Sequence, residues 1–334
     1  MNMNTLKWSA IGIGTKNQEG NWLEIFYPKD LINLDSNIIE EASKFSADDF
    51  ETPLDLSKEI VKELSTINLN DYLSDSSHLV MIVLREDKKI ESVPEAYLKL
   101  HLLSYREVKP NSINLDNIFA MLPTVAWTSE GPKDPDELPE IIKDRKISGS
   151  QIHVYSLDKF PNLTDYVIPE GVRIADSSRV RLGAYVGEGT TIMHEGQINF
   201  NAGTLGKGMV EGRIAQGVIV DEGSDIGGGA STLGTLSGGN DLVISVGKDC
   251  LLGANSGLGI SLGDRCIIES GLYLTSASKV EIIDDNNQVL KTVKAEELSL
   301  KPDLLFIRNS LTGSIQCKER KKDVNLNEDL HSNN

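Results

Sequence analysis

Two charged side chains, Glu211 and Arg213, lie two residues apart in a segment that interrupts the most regular part of this 334-residue sequence. A carboxylate can take up a proton from a reacting group, and a guanidinium can bind an anionic group through paired N–H donors. A purely structural repeat needs neither side chain at a break in its period. The pair therefore favours binding or catalysis over a passive scaffold.

Other residue types that commonly carry chemistry are sparse. His194 is the only one of the five histidines in the regular region, so it is the one candidate for an imidazole base there. The three cysteines, Cys250, Cys266 and Cys317, are an odd number in a long chain and lack the spacing of a metal site. A disulfide framework is therefore not expected, and a reduced, cytoplasmic location is favoured.

The regular region is rich in glycine and has a period of six residues. Of the 29 glycines, 23 fall between Gly171 and Gly271. Aliphatic residues recur at every sixth position at Ile168, Ile174, Val180, Val186, Ile192 and Ile198, and the period resumes at Ile214, Val220 and Ile226. A period of six fits neither an amphipathic helix nor an alternating strand. It is typical of a left-handed parallel β-helix of hexapeptide repeats, in which three short strands make one coil.

A second register supports this fold. The aliphatic phase continues through Ile244, Cys250, Leu262, Ile268, Leu274 and Val280. Glycine follows the aliphatic position by three residues at Gly171, Gly183, Gly189, Gly217, Gly223, Gly229, Gly247, Gly253, Gly259 and Gly271. We expect these glycines at the corners of the coil, where the backbone turns with positive φ or packs closely.

Two irregularities in the period predict loops. The spacing from Ile198 to Ile214 exceeds two hexads by four residues, which predicts an insertion over residues 199–213. From Thr232 to Asp241 the phase is kept but the aliphatic residue is lost, which predicts a second loop. Because solenoids usually place insertions on one binding face, the first loop, with Glu211, is expected to be functional.

The flanking sequence differs in composition. It predicts a mainly β protein with an α/β domain at residues 1–150, the β-helix at 165–282 and a short C-terminal extension at 283–334. In the first domain, residues 35–66 have helical spacing, His78–Leu84 is typical of a buried strand, and Pro94–Tyr105 is typical of a helix opened by proline. The first domain thus combines helices with at least one buried strand.

The C-terminal extension has its own signals. The run Asp284–Asn287 predicts a hairpin turn, and Leu304–Arg308 predicts a strand. From Lys318 onward the sequence is polar, which predicts a frayed end.

The charge of the chain restricts its partners. A formal net charge of −17 argues against nucleic acid, and no apolar run is long enough to span a membrane. An anionic small molecule would need a local concentration of cations against this unfavourable field. The basic residues available for that purpose are Arg173, Arg179, Arg181, Lys207, Arg213, Lys248, Arg265, Lys294 and Arg308.

Longer motifs carry a family resemblance over most of the second half. They are Arg173–Asp176, Met193–Gly196, Asn199–Gly206, Met209–Ile214, Gly223–Ser231, Gly234–Gly239 and Cys250–Gly263. In these stretches the chain resembles the tetrahydrodipicolinate N-succinyltransferases. The resemblance implies transfer of a succinyl group from succinyl-CoA to the amine of ring-opened tetrahydrodipicolinate, in the diaminopimelate pathway to lysine. The N-terminal half shows no equally specific motif.

The resemblance also implies site residues. Glu211 matches the family's catalytic glutamate, which acts either as a nucleophile forming an acyl-anhydride or as a general base. The positions that match acyl-CoA contacts are Arg213, Gly228, Ser231, Ala254, Glu269, Ser270, Gly271, Lys294, Arg308, Asn309 and Ser310. The family usually has Glu-Ala at Glu269-Ser270 and Arg-Arg-Asn-Ser at Ile307–Ser310, so Arg213, Lys294 and Arg308 carry more weight.

Similar enzymes are homotrimers with active sites between neighbouring coils, and they hold Mg²⁺ between subunits through an aspartate and a glutamate. Glu195 matches the glutamate, whereas Ser178 stands at the aspartate position. Carboxylate oxygens suit Mg²⁺, so Glu195 residues from three chains could still gather on a threefold axis. The resemblance thus implies a homotrimer, with a magnesium site that this departure weakens.

Three other functions are alternatives, and the residues argue against the second. One is a β-helical acyltransferase with an acetyl donor that acylates a hydroxyl, with His194 as base. A β-helical carbonic anhydrase needs three histidine ligands for zinc, more kinds of ligand position than this region supplies. A non-catalytic trimeric scaffold is the third. Binding of CoA separates the scaffold from the transferases, and the acyl donor separates the two transferases.

Overall fold

The computed structural model describes residues 6–72, 77–234 and 243–320. The chain divides into two compact units. The first comprises Met1–His101 and Ile113–Pro161, and the second comprises Leu102–Ser112 and Asn162–Asn334. In the described ranges, no helix is long and apolar enough to cross a membrane.

The first unit combines two small antiparallel sheets with short helices. Its strands are β1 (Trp8–Lys16), β2 (Trp22–Phe26), β3 (Leu54–Leu56), β4 (His78–Leu84), β5 (Val125–Thr128), β6 (Gly131–Lys133) and β7 (Val154–Asp158). Its helices are α1 (Ser36–Ser43), α2 (Lys58–Glu63), α3 (Val93–Ser104, which continues into the second unit), α4 (Ile118–Met121) and α5 (Leu138–Ile147). The sheet orders are β2-β1-β4-β3 and β6-β5-β7.

The predicted buried strand and proline-opened helix are confirmed as β4 and α3. The helical spacing over residues 35–66 is interrupted, because α1 and α2 are separated by β3. Asp49 and Phe50 between them have positive φ angles of 55° and 64°, which a helix cannot contain. Ile38 and Ile39 of α1 pack on the face of the first sheet, in one cluster of buried apolar side chains.

The second unit is a parallel β-helix. Its coil strands are β8 (Arg173–Ile174), β9 (Tyr185–Val186), β10 (Thr190–Ile192), β11 (Gln197–Ile198), β12 (Gly203–Thr204), β13 (Gly208–Val210), β14 (Arg213–Ile214), β15 (Ile219–Val220), β16 (Asp225–Ile226), β17 (Ser231–Thr232), β18 (Ser245–Val246), β19 (Leu251–Leu252), β20 (Gly257–Gly259), β21 (Ile267–Ile268) and β22 (Tyr273–Thr275). They form three sheets with parallel neighbours. The long sheet contains β21-β19-β16-β13-β10-β8, the second sheet is β11-β14-β17-β20-β22, and the third sheet is β18-β15-β12-β9.

The inward column that the hexads predict is present from Val180 onward. Val180, Ile192 and Ile198 are fully buried, because each stacks on the equivalent residue of the next coil. Ile168, the first member of the predicted column, is instead 77% exposed. It precedes the first coil strand, and Val167 beside it is the buried residue.

The corner glycines serve in both of the ways expected. Gly223 has a φ of +80°, which a residue with a side chain adopts only under strain. Gly253 does not have positive φ, but a Cβ there would lie 2.8 Å from the Ile268 carbonyl oxygen of the next coil. Turning at some corners and close approach at others both require glycine.

The predicted insertion over residues 199–213 is wrong. The hexads continue through β12 and β13, where Thr204 pairs with Val186 and Val210 pairs with Ile192. The irregularity is a short corner, because Ile214 follows Val210 by four residues and still stacks on Ile198. The segment has lost two residues relative to the repeat.

The second predicted loop is present but changes the phase. Val246 follows Thr232 by fourteen residues, eight more than a hexad, and Leu262 then follows Leu258 by only four. The eight added residues and the two missing ones sum to one hexad, so the original period returns at Leu262. Between the two changes the stacked residues are Val246 and Leu252, two positions after the predicted Ile244 and Cys250. Residues 235–242 of this loop lie outside the described part of the chain.

The C-terminal segment extends the long sheet. Its strands are β23 (Lys279–Ile283), β24 (Val289–Lys294), β25 (Leu304–Arg308) and β26 (Ile315–Glu319), in the order β24-β23-β26-β25 beside β21. The predicted hairpin turn and the strand at Leu304–Arg308 are confirmed. Fraying from Lys318 is wrong for Lys318 and Glu319, which pair with β25, and residues 321–334 lie outside the described residues.

Candidate active site

The corner that follows the long sheet collects most of the predicted site residues. We call it the site corner; its successive levels are Met193–Gly196, Glu211–Gly212, Gly227–Gly229, Gly253–Asn255, Glu269–Gly271 and Ile307–Ser310. Each level follows a strand in parallel register with the next. Inter-coil hydrogen bonds hold the levels together, for example from Glu211 N–H to the Ile226 carbonyl at 2.8 Å. Residues far apart in sequence thus form one line parallel to the axis of the coil.

Glu211 lies at the short corner and is half-buried. The N–H groups of Glu211 and Gly212 both donate to the Ile226 carbonyl, at 2.8 and 3.1 Å, which fixes the backbone on both sides of the carboxylate. A Cβ added to Gly228 in the next coil would lie 3.4 Å from Glu211 Oε2. Among the described residues, no hydrogen bond or ion pair engages the Glu211 carboxylate, so its oxygens can accept a proton or attack an electrophile.

Arg213 and Ser231 occupy the first outward position of the second sheet. They pair in register, and Arg213 Nε donates a long hydrogen bond of 3.4 Å to Ser231 Oγ. Gly257 and Tyr273 continue the same row on the next two strands. We call Arg213, Ser231, Gly257 and Tyr273 the outer row. It places an exposed guanidinium beside the level of Glu211.

Small residues form the middle of the site corner. The Gly228 carbonyl accepts from Asn255 N–H, and the Ala254 carbonyl accepts from Gly271 N–H, each at 2.8 Å. Within the described chain, the N–H groups of Gly228 and Ala254 have no such partner. A strip of small residues with two N–H donors that lack a partner in the described chain suits an amide-containing chain lying along the corner.

At the far end of the corner the predicted residues differ in how they are engaged. Arg308 N–H donates to Glu269 Oε2 at 2.6 Å, and Asn309 Oδ1 accepts from Leu311 N–H at 2.9 Å. Glu269 and Asn309 therefore also hold local structure. The Arg308 side chain is exposed and forms no ion pair within the described ranges, so its guanidinium is available to an anion. Ser310 is exposed beside it.

Lys294 lies off the corner, at the end of β24. Val293 stands in a cross-strand row with Val280, Ile315 and Arg308, which spans about 14 Å at ~4.8 Å per strand. Lys294 Nζ pairs with Glu296 Oε1 at 3.1 Å, and both side chains are about half exposed. Lys294 and Arg308 are thus two cations at the same end of the sheet.

The first levels hold the residues that the resemblance links to metal. Glu195 is exposed. Ser178 donates from its backbone N–H and from Oγ to Asp176 Oδ1, and these hydrogen bonds lower the Asp176 pKa below its usual value. In the part of the chain described, no group of three or more His, Cys, Asp or Glu residues could hold a metal ion. Among the described residues, a single chain therefore supplies no cluster of three protein ligands for Mg²⁺.

The three cysteines are buried and free, so no disulfide joins them. Contact with Cys266 and burial raise the pKa of the Cys250 thiol. A protonated, buried thiol is a poor nucleophile, which leaves Cys250 outside the candidate chemistry.

A cavity of about 900 Å³ lies in the first unit and is lined by none of the predicted site residues. Its cation Lys16 is already engaged, with Asp55 Oδ2 at 2.6 Å and above the Trp22 ring at 4.3 Å. The candidate chemistry therefore stays with the open site corner.

Known proteins resemble the chain over its whole length. A Pseudomonas putida protein named 2,3,4,5-tetrahydropyridine-2,6-dicarboxylate N-succinyltransferase is 49% identical over 343 residues, covering 99% of each chain. This chain belongs to the tetrahydrodipicolinate N-succinyltransferase family. A Vibrio cholerae family member of the same name is 46% identical, covering 98% of this chain and 100% of its own. The family predicted from the sequence is confirmed.

Family models and a solved structure agree with this assignment. The models described as tetrahydrodipicolinate N-succinyltransferase N-terminal and middle match residues 10–120 and 122–162. The hexapeptide repeat of succinyl-transferase matches residues 243–276. A Campylobacter jejuni structure, described as a 2,3,4,5-tetrahydropyridine-2-carboxylate N-succinyltransferase, has a TM-score of 0.85 at 35% identity and covers 96% of this chain and 94% of its own. The N-terminal half, which showed no specific motif, is thus also characteristic of the family.

Proposed function

We propose that this chain transfers the succinyl group of succinyl-CoA to the amine of ring-opened tetrahydrodipicolinate, 2-amino-6-oxopimelate. The products are N-succinyl-2-amino-6-oxopimelate and CoA, in the diaminopimelate pathway to lysine. The observation that carries the proposal is the position of Glu211. In a chain of this family, the glutamate has an unengaged carboxylate at the short corner, one level from a strip of small residues and beside Arg213.

Two routes are consistent with the Glu211 carboxylate. As a general base, it takes a proton from the amine while the nitrogen attacks the thioester carbon and the C–S bond breaks, so that the sulfur leaves as a thiolate. As a nucleophile, an Oε atom attacks the thioester first, the C–S bond breaks and CoA leaves as a thiolate, which forms an acyl-anhydride; the amine then attacks the succinyl carbon, loses a proton and releases the Glu211 carboxylate. Mass spectrometry after incubation with succinyl-CoA alone distinguishes them, because only the second route leaves a succinyl group on Glu211.

The site corner provides a path for the acyl-CoA. From the Glu211 level to Arg308 there are four strand-to-strand steps, or about 19 Å. The thioester would lie near Glu211, and the amide-containing arm would run past Gly228, Ser231, Ala254, Ser270 and Gly271. Arg308, Asn309, Ser310 and Lys294 would meet the phosphates, and Glu269 would position Arg308 through its backbone. Arg213 would bind a carboxylate of either substrate.

The finer architecture belongs to the same proposal. The hexapeptide repeat supports a left-handed coil at residues 165–282, with an α/β domain at 1–150 and an extension at 283–334. A homotrimer would place a second chain against the site corner, and the buried free thiols suit a cytoplasmic location. Since the described residues of one chain form no cluster of three metal ligands, Glu195 residues from several chains would together hold Mg²⁺, and no reaction step depends on it. Sedimentation with and without a chelator tests both the trimer and the ion.

A thiol-release assay tests the activity. We expect continuous turnover of CoA only when succinyl-CoA and tetrahydrodipicolinate are both present, and Glu211→Ala to lower kcat by about 10³-fold with an unchanged melting temperature. Turnover with acetyl-CoA alone would keep the fold and mechanism but contradict the named donor. Absence of turnover with either donor would contradict the proposal and favour a scaffold.

A further inference from the structure

The outer row ends in an exposed aromatic side chain that neither the sequence motifs nor the proposed mechanism uses. Tyr273 is 53% exposed, although it stands between fully buried Leu272 and Leu274. It faces outward on β22, two residues after the Gly271 level of the site corner. An exposed tyrosine presents an apolar ring face that can pack against a ligand while its hydroxyl stays hydrated.

The Tyr273 ring packs over Gly257 of the neighbouring strand β20, and we call this glycine the seat of the ring. Tyr273 pairs in register with Gly257 of β20, and a Cβ added to Gly257 would lie 2.8 Å from Tyr273 Cγ and still closer to the ring atoms Cδ1 and Cε1. Real Cβ atoms essentially never approach so closely. Gly257 does not have positive φ, so its backbone conformation does not demand glycine. The absent side chain makes room for the ring to lie over β20.

This seat turns the ring toward the candidate site. Gly257 pairs directly with Ser231, and Ser231 pairs with Arg213. One inter-strand step of about 4.8 Å therefore separates the residue under the ring from Ser231. On the other side, Tyr273 follows Gly271 of the site corner by two residues. It forms an apolar end to a row that otherwise offers a hydroxyl and a guanidinium.

We propose that the Tyr273 ring, seated on Gly257, is a binding surface for the arm of the acyl-CoA. This inference rests on the proposed function and names a residue for the substrate. The methyl and methylene groups of a pantetheine arm lying in the corner pack against the exposed face of the ring. The contact is made equally in the ground state and the transition state, so it lowers KM and leaves kcat unchanged.

Calorimetric titration with CoA, together with steady-state kinetics, tests the proposal. We expect Tyr273→Ala to raise the Kd for CoA and the KM for succinyl-CoA about tenfold, with kcat within about twofold of the wild type. Tyr273→Phe keeps the ring and is expected to bind as the wild type does. Tyr155→Ala, which removes another exposed tyrosine at 71% exposure in the first unit, is the matched control and should change neither value.

A second variant separates the seat from the ring. Gly257→Ala displaces the ring and should weaken CoA binding in the same direction, and combining it with Tyr273→Ala should add little, because both act on one contact. Wild-type affinity for CoA in Tyr273→Ala, with a wild-type melting temperature, overturns the inference and leaves the proposed function standing. A wild-type protein that does not bind CoA overturns both.

Discussion

Two corners of the same coils use charged residues in opposite ways. At the structural corner, where the third sheet turns into the long sheet, Arg265 forms a bidentate pair with Asp303 at 2.6 and 2.8 Å. Asp264 there accepts from Lys248 N–H at 2.9 Å. At the site corner, the Glu211 carboxylate and the Arg308 guanidinium have no ion pair within the described residues. The charges at the structural corner join coils, whereas Glu211 and Arg308 at the site corner are left for a ligand.

The comparison predicts opposite effects for one arginine from each corner. Arg308→Gln should raise the KM for succinyl-CoA about tenfold, the loss of one charge-assisted contact to a phosphate, while the melting temperature stays unchanged. Arg265→Gln should leave KM unchanged and lower the melting temperature, because it breaks the pair with Asp303. Steady-state kinetics and thermal unfolding of both variants check this, and the reverse pattern would mean that the corner roles are misassigned.

Neighbouring glycines sharpen the same contrast within one level. Gly228→Ala should lower kcat/KM about fivefold with little change in stability, since its methyl group would lie 3.4 Å from Glu211 Oε2 and crowd the substrate. Gly229 has a φ of +68°, so Gly229→Ala should instead cost about 1 kcal/mol of folding stability. Denaturant titration and kinetics measure both quantities. Equal effects of the two variants on kcat/KM would argue against the inference that Gly228 leaves room for the substrate beside the Glu211 carboxylate.

The smallest expected effect is on acid stability. Hydrogen bonds from Arg265 lower the pKa of Asp303 below its ordinary value of 3.8. A carboxyl group with a lower pKa when folded stabilises the protein above the unfolded pKa, and that contribution is lost as pH falls through the folded pKa. The wild type should therefore lose its advantage over Asp303→Asn below about pH 3.8. Unfolding midpoints measured from pH 6 to 3 test this, and curves that stay parallel throughout would contradict it.

The sequence predicted the repeat well because one residue in each hexad must be buried. The breaks in the period were predicted wrongly, because the period was assigned from aliphatic residues alone. Thr204 occupies an inward position and shares a hydrogen bond of 2.8 Å with Thr190. Because threonine is not aliphatic, the hexad that contains Thr204 was not recognised. A deletion of two residues then looked like an insertion of four. Similarly, the eight residues added after Thr232 and the two missing before Leu262 make a net change of one hexad, so the change of phase between them was not visible in the sequence.

The sequence predicted the individual residues of the candidate site, but not that they are aligned along the axis of the coil. The family motifs named Glu211, Gly228, Ala254 and Arg308, which are scattered along the sequence. Their alignment depends on which coil residue stacks on which, and the misread break concealed that register. Tyr273 carried no motif at all. Its position over Gly257 follows from inter-strand pairing, which a single sequence does not specify.

The line of site residues has a consequence for cooperativity. The strands of each coil pair only with strands of the coils before and after it, so local opening can begin at one end and stop partway. A ligand that reaches from Glu211 to Arg308 would contact coils that do not contact one another. Its binding would slow amide hydrogen exchange several coils away from any single contact. A stack that opens one turn at a time would then open as a unit.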